Sequence, residues 1–470
     1  VTTQAQQQAQ AAWEDEIEVR CRDGVALGAY AGCGHAHYLF LEPDGPDAVS
    51  FALEPGAALH SFANALPLFA WDEREMSDER GVRFADLPDP RPFRWHDGAM
   101  PPAVVASGAG LMHFVVGPVH AGIIEPGRFT FSSGGETVVH LDGQLGYGHR
   151  GVERALEGEL ALEAARRVGR ICGGCSAARS HAYALALERL AGAQLAPEVE
   201  LGRLVVCELE RVYNHLADLA ASAAGAGWGT GFAKGMALKE RAMRACAAAS
   251  GHRLLFDAIV PGGLGSGVLP APEELRAELS ELADEVAHYT GTLFGNGSVV
   301  SRWLHAGSVP HETEHAFGAV GPAHRGSHGK RDVRSFAPYG AYRRLAVNVS
   351  THAGGDVFAR CSVKRDELRE SFRLLEDALT KLDDAAPGSA QVTLALEPGA
   401  GTALATVEGP RGAETLAVHV DAAGRLERLH AISASYRNWP VVVRAMEGNI
   451  VPDFPLVNKS FNLCYACVDR

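Results

Sequence analysis

Two Cys-x-x-Cys pairs lie far apart in this chain, Cys172-Gly-Gly-Cys175 and Cys464-Tyr-Ala-Cys467. One such pair is ambiguous between a redox dithiol and half a metal site. Two pairs supply four thiolates, enough to surround one soft metal centre. Structural zinc, an iron–sulfur cluster, a mixed catalytic metal centre and unrelated thiols are all open on this pattern. Small zinc ribbons space their pairs about 15–20 residues apart, so the long separation here disfavours a local ribbon without forbidding zinc. Cys21, Cys33, Cys207, Cys246 and Cys361 stand alone and read as small buried hydrophobes or ordinary thiols.

The elements around these thiols set their chemistry. The first pair opens an Ala-rich run, and a helix N-terminus favours the anionic form of a thiol. The two glycines between the thiols let backbone approach a bound group closely. The second pair follows Pro452 and Pro455 and reads as a non-helical tail that folds back to close the site. Glu153–Leu190, Val199–Ala224, Pro272–Leu293 and Lys364–Asp384 have helical spacing. Val392–Leu396 and Leu416–Val420 alternate like strands, as do Ile17–Val19 and His37–Leu41 nearer the start. Residues 1–12 are rich in Gln and Ala and read as frayed. The expected fold class is α+β. A small α/β domain over 1–105 precedes a mainly helical bundle with a small β element over 106–470, and the boundary falls in the Pro-rich stretch near 100–108.

Bulk properties narrow the function. At 470 residues the chain has ample core, and a net charge of −14 argues against nucleic-acid binding. Nine cysteines, an odd and sparse number, do not make a disulfide-stapled secreted scaffold. Nothing reads as a membrane span or a signal peptide, so a cytoplasmic location is expected.

Beyond the cysteines, several stretches match a known family in order. Arg170-Ile-Cys172-Gly-Gly-Cys175 and Cys464-Tyr-Ala-Cys467-Val-Asp-Arg470 resemble the paired motifs of the nickel–iron hydrogenase large subunit. Gly117–Phe129, Leu145–Glu153, Gly321-Pro-Ala, Asp332-Val-Arg334 with Pro338-Tyr339, and Gly355–Arg360 resemble its complex-I-related, membrane-bound branch. That branch shares them with the 49-kDa subunit of complex I. Trp71–Glu75, Gly81–Phe84 and Pro88–Pro90 resemble a shortened 30-kDa subunit, and the fusion of the two is like the large subunit of formate hydrogenlyase.

The resemblance implies an enzyme with a Ni-Fe(CN)2CO centre that forms or oxidises H2 heterolytically. Cys172 and Cys464 would be terminal nickel ligands, and Cys175 and Cys467 would bridge nickel and iron. Glu125 matches the proton gate, Arg411 the arginine over the metals, and Ser435 and Arg437 the groups near the diatomic ligands. Glu153 matches a carboxylate that helps to hold a structural magnesium. The chain itself is expected to carry no iron–sulfur cluster. The implied partners are a small subunit with a 4Fe-4S cluster, other iron–sulfur subunits, a complex-I-like membrane arm and hydrogenase maturation factors, with the chain peripheral on the inner face of the cell membrane. The alternatives are a quinone- or other acceptor-reducing subunit without hydrogen chemistry, and a non-catalytic scaffold with a zinc or empty thiolate site. Four residues differ from the commonest family pattern: Arg179 stands for a histidine, Asn462-Leu463 for Asp-Pro, and Arg470 for a terminal histidine, an arginine there being normal for the membrane-bound branch.

Overall fold

The computed structural model describes residues 4–54, 56–94, 101–120, 124–384 and 397–470. Helix α1 (Gln4–Asp23) packs on an antiparallel meander of β1 (Val25–Gly32), β2 (His35–Glu42) and β3 (Gly45–Ala52), followed by helix α2 (Ala70–Arg80). A second meander has β4 (Leu111–Val116), β5 (Arg128–Gly134) and β6 (Thr137–Gln144), and a third has β7 (Gly401–Gly409), β8 (Gly412–Val420) and β9 (Leu426–Ile432). Between the second and third meanders lie α3 (Val152–Leu156), α4 (Ala161–Val168), α5 (Ser176–Leu190), α6 (Pro197–Gly225), α7 (Gly229–Ser250), α8 (Pro272–Gly295) and α9 (Val357–Asp383), with short helical turns between α8 and α9. The chain then runs through α10 (Ala434–Ala445), α11 (Phe454–Phe461) and α12 (Ala466–Asp469).

Helix α6 is the axis of the bundle. Pro197 starts it without wasting an amide, and Glu198 and Glu200 favour the positive end of its dipole. Most of its length is buried, against α7 and α9 on one side and α11 on another. Asp356 caps α9 by accepting from Ala359 N at 2.8 Å. Ser433 caps α10 by accepting from Tyr436 N at 3.0 Å. One core runs through the bundle and all three meanders, taking in Leu27 and Leu39 of the first, and a smaller one gathers Trp13, Ile17, Tyr38 and Phe69.

Several expectations need correcting. Ile17–Val19 is helical, because Trp13 and Ile17 stand one turn apart and fill the small core together. That i, i+4 pair outweighs a three-residue alternation. Residues from Gln4 onward are helical rather than frayed. The Glu153–Leu190 stretch is three helices, with the first cysteine pair in the gap before α5. The tail after Pro452 is not free of helix: Pro455 sits in the first turn of α11, where its missing amide costs nothing. The second meander lies where only helix-rich sequence was expected. Val392–Leu396 lies outside the described residues.

Candidate metal centre

The local sequence gives each cysteine pair a turn and then a helix start. Cys175 precedes α5 as its cap residue but makes no capping bond with its thiol. The cap comes instead from Glu210 of α6, which accepts from Ala177 N at 2.7 Å and Ala178 N at 3.0 Å. Burial pushes the Glu210 carboxyl up to about 8. One turn on, Asn214 Nδ2 donates to Gly174 O at 3.0 Å, and Tyr213 Oη donates to Gly173 O at 3.0 Å. The Cys-Gly-Gly-Cys turn is thus stitched to α6. A Cβ on Gly174 would stand 3.3 Å from Arg411 Nη1 and 3.4 Å from Cys464 Sγ, so only glycine leaves this space open.

The other arm is aimed by Asn462, which ends α11 in the left-handed conformation (φ 49°). Asparagine tolerates that geometry better than most residues. Its side chain donates to Asp218, which also takes Lys364 Nζ at 2.6 Å. Ser435 Oγ then accepts from Cys464 N at 3.0 Å. Arg150 spans both arms: its Nη2 donates to Ile171 O at 2.7 Å and to Ala466 O at 3.0 Å, the carbonyls just before Cys172 and Cys467.

As a result the four sulfurs of Cys172, Cys175, Cys464 and Cys467 lie within 4.8 Å of one another. Cys175 and Cys467 are 4.0 Å apart. Three of the thiols are buried, and Cys464 is half-buried. Hydrogen bonds from Cys172 and Cys175 hold Cys464 well below the ordinary thiol range, and Arg411 adds to this. The same two donors bring Cys467 to about 7, with help from Arg179. Arg411 is fixed by Asn214 Oδ1 at 2.9 Å and by Asn462 O. Arg179 Nη2 reaches Cys467 Sγ at 3.4 Å and Glu414 Oε2 at 2.8 Å. Burial raises the Glu414 carboxyl to about 7 even with Arg179 beside it. Four soft donors, fixed positive charge on two sides and a glycine cradle fit a thiolate-bound metal centre.

Other predicted site residues fall elsewhere. Arg437 turns away from the sulfurs and donates to Leu68 O at 2.7 Å and to Asp72 of α2. Glu125 is exposed before β5, and its charge is felt by the Tyr465 phenol. Glu153 is buried, accepts from Ala431 N at 2.9 Å and sits within 4.8 Å of Glu75 and His430. Its neighbours already include Arg470 and Arg428, and Glu75 is paired with both Arg470 and Arg94. Against this much fixed positive charge the residues do not fit a magnesium ion, which wants several free oxygen donors.

Glu75, Arg150, Glu210, Asn214, Asp218 and Glu414 were missed from the sequence. One signal was present: Glu210, Asn214 and Asp218 recur every four residues and so share one face of the helix.

The family described as "Respiratory-chain NADH dehydrogenase, 49 Kd subunit" matches residues 225–470. The chain belongs to this family. Its relatives include complex-I-related hydrogenase large subunits. Formate hydrogenlyase subunit 5 of Escherichia coli is 28% identical over 444 residues, covering 86% of this chain and 76% of the relative. Membrane-bound hydrogenase subunit alpha of Pyrococcus furiosus is 30% identical over 369 residues, covering 75% of this chain and 86% of the relative. An NADH-quinone oxidoreductase subunit of Herpetosiphon aurantiacus is as similar, at 29% over 363 residues, covering 76% of this chain and 97% of the relative. The family is one of oxidoreductases, and the two kinds of relative differ in chemistry.

Proposed function

We propose that the chain is the catalytic large subunit of a membrane-associated nickel–iron hydrogenase that forms or oxidises H2. The convergence of four thiol sulfurs within 4.8 Å carries this reading. When bound, a Ni-Fe(CN)2CO centre supplies the redox site at which H2 is made or split heterolytically. Cys172, Cys175, Cys464 and Cys467 would hold it through their thiolates.

The remaining steps belong to the protein. Arg411 and Arg179 hold permanent charge beside the thiolates and stabilise an anionic site. Ser435 fixes the backbone of Cys464. Cys172, Cys175 and Cys467 are buried and Cys464 is half-buried, so water has least access to the first three sulfurs. Glu125 would be the outer carboxylate of a proton route to the site. Among the described residues the other cysteines form no metal-binding group. Electrons would leave through a small subunit carrying a 4Fe-4S cluster, and other iron–sulfur subunits would pass them on. Among the described residues no helix is long and apolar enough to cross a membrane. A complex-I-like membrane arm on the inner face of the cell membrane would anchor the chain, and maturation factors would load the metals.

The similarity to NADH-quinone oxidoreductase subunits favours a second reading, in which the chain reduces a quinone or another acceptor without hydrogen chemistry. That role has no use for four converging thiols. Elemental analysis and infrared spectra of the purified complex separate the readings. Equal nickel and iron with CO and cyanide bands are expected, and both are lost with H2 turnover in Cys464→Ser. Zinc alone, or no metal, would overturn the proposal.

A further inference from the structure

Glu75 of α2 and Glu153 of α3 are buried side by side, and the chain supplies the cation between them. Arg470 Nε donates to Glu153 Oε1 at 2.5 Å, and its Nη2 donates to Glu75 Oε1 and Oε2 at 2.7 and 2.8 Å. Arg94 adds a second guanidinium, with Nη2 on Glu75 Oε1 at 2.8 Å and Nε on Glu79 Oε1 at 3.0 Å. On the far side, Arg428 Nη1 and His430 Nδ1 lie 3.5 and 3.4 Å from Glu153 Oε2. Arg94 and Arg470 are each only 1% exposed. A planar guanidinium can bridge two carboxylates with directed hydrogen bonds from several N–H groups.

The last helix hangs from this cluster. Helix α12 is four residues long, too short to hold its own shape. Arg94 Nη1 donates to Val468 O, Arg150 N donates to Asp469 O at 3.0 Å, and His149 Nδ1 meets the same oxygen at 3.1 Å. Cys467 lies one turn before Arg470 on this helix.

We propose that the Arg470 guanidinium takes the place of a divalent cation between Glu75 and Glu153, and that this cross-link to α2 and α3 positions Cys467. Glu75 and Arg470 are then positioning residues acting through the backbone of α12. The inference goes beyond the hydrogenase reading, because it holds whichever metal the thiols bind.

The test uses the full chain, elemental analysis for magnesium, hydrogen–deuterium exchange and cobalt(II) as the probe of the thiol site. The wild type is expected to hold no stoichiometric magnesium, and added magnesium leaves the exchange of residues 466–470 unchanged. Glu75→Gln is expected to speed exchange in α12 while α6 stays protected. The same change weakens cobalt retention by about tenfold. Arg470→Lys, which keeps charge and stem, shows the same α12 effect in milder form and decides the matter if the Gln variant does not fold. One equivalent of magnesium in the wild type, lost in Glu153→Gln, overturns the proposal. So does wild-type α12 exchange in Arg470→Lys. Neither readout needs nickel, so failure here is separate from failure of the hydrogenase reading.

Discussion

Replacing Arg150 with methionine cuts the strap between the two cysteine arms while keeping most of the side chain. The perturbation removes two hydrogen bonds from a guanidinium, at 2.7 Å to Ile171 O and 3.0 Å to Ala466 O. Hydrogen bonds to a charged partner contribute about 1.5–3 kcal/mol each. Arg150 is exposed, and water competes for both carbonyls, so the low end applies. Two bonds at that low end lose about 3 kcal/mol together, which corresponds to roughly 150-fold in affinity. The loss falls on the pre-organisation of the four sulfurs, because each arm keeps its own contacts. Tyr213 and Asn214 still hold the first turn, and Ser435 still holds Cys464. Competition between the protein and a chelator for cobalt(II), followed by the thiolate-to-cobalt absorption band, measures the effect. Binding within twofold of wild type, with Cys175→Ser losing the band in the same assay, would refute the idea that Arg150 holds the arms together.

Arg179→Gln strands the buried Glu414 carboxyl and removes a cation from Cys467, so the thermal midpoint should fall by the equivalent of about 3 kcal/mol. The double variant with Glu414→Gln should recover part of this, and additive losses would contradict the pairing. Glu314, next to His324 at 2.8 Å, has its carboxyl pushed up to about 8 by burial. Its folded pKa lies above the unfolded value, so its favourable contribution is complete below the ordinary carboxylate range and is lost as pH rises toward 8. Glu314→Gln should therefore flatten the fall in stability between about pH 5 and 8, by on the order of 2–4 kcal/mol at the alkaline end. Parallel melting curves for the two proteins across that range would exclude Glu314 as the cause.

The thiols were legible because their chemistry needs particular residue types at a fixed local spacing. The long helices were legible for the same kind of reason: Val199–Ala224 and Pro272–Leu293 carry their period over several turns, and the structure extends them by only a few residues. Short signals failed. Three alternating residues at Ile17–Val19 gave no measure of the turn-by-turn contact between Trp13 and Ile17. The second meander was hidden because its strands do not alternate cleanly: β5 is buried at consecutive positions and β4 is partly exposed, which blurs a two-residue period. The supporting shell was the least legible part. Glu75, Arg150 and Glu414 come from three distant segments, and ordinary surface carboxylates and arginines look the same until the fold buries them. Arg179 illustrates this: as a departure from a motif it carried no role, and the role appears only with Glu414 and Cys467 in place.

Strand β4 has a consequence for how this protein is handled. Among the described residues it pairs on one side only, with β5, and it leaves Met112 61% and Val115 48% exposed. An open ladder with apolar side chains invites a foreign strand. Produced by itself at high concentration, the chain should self-associate along this edge, and preparations should stay dispersed only when another polypeptide caps it from the moment of synthesis.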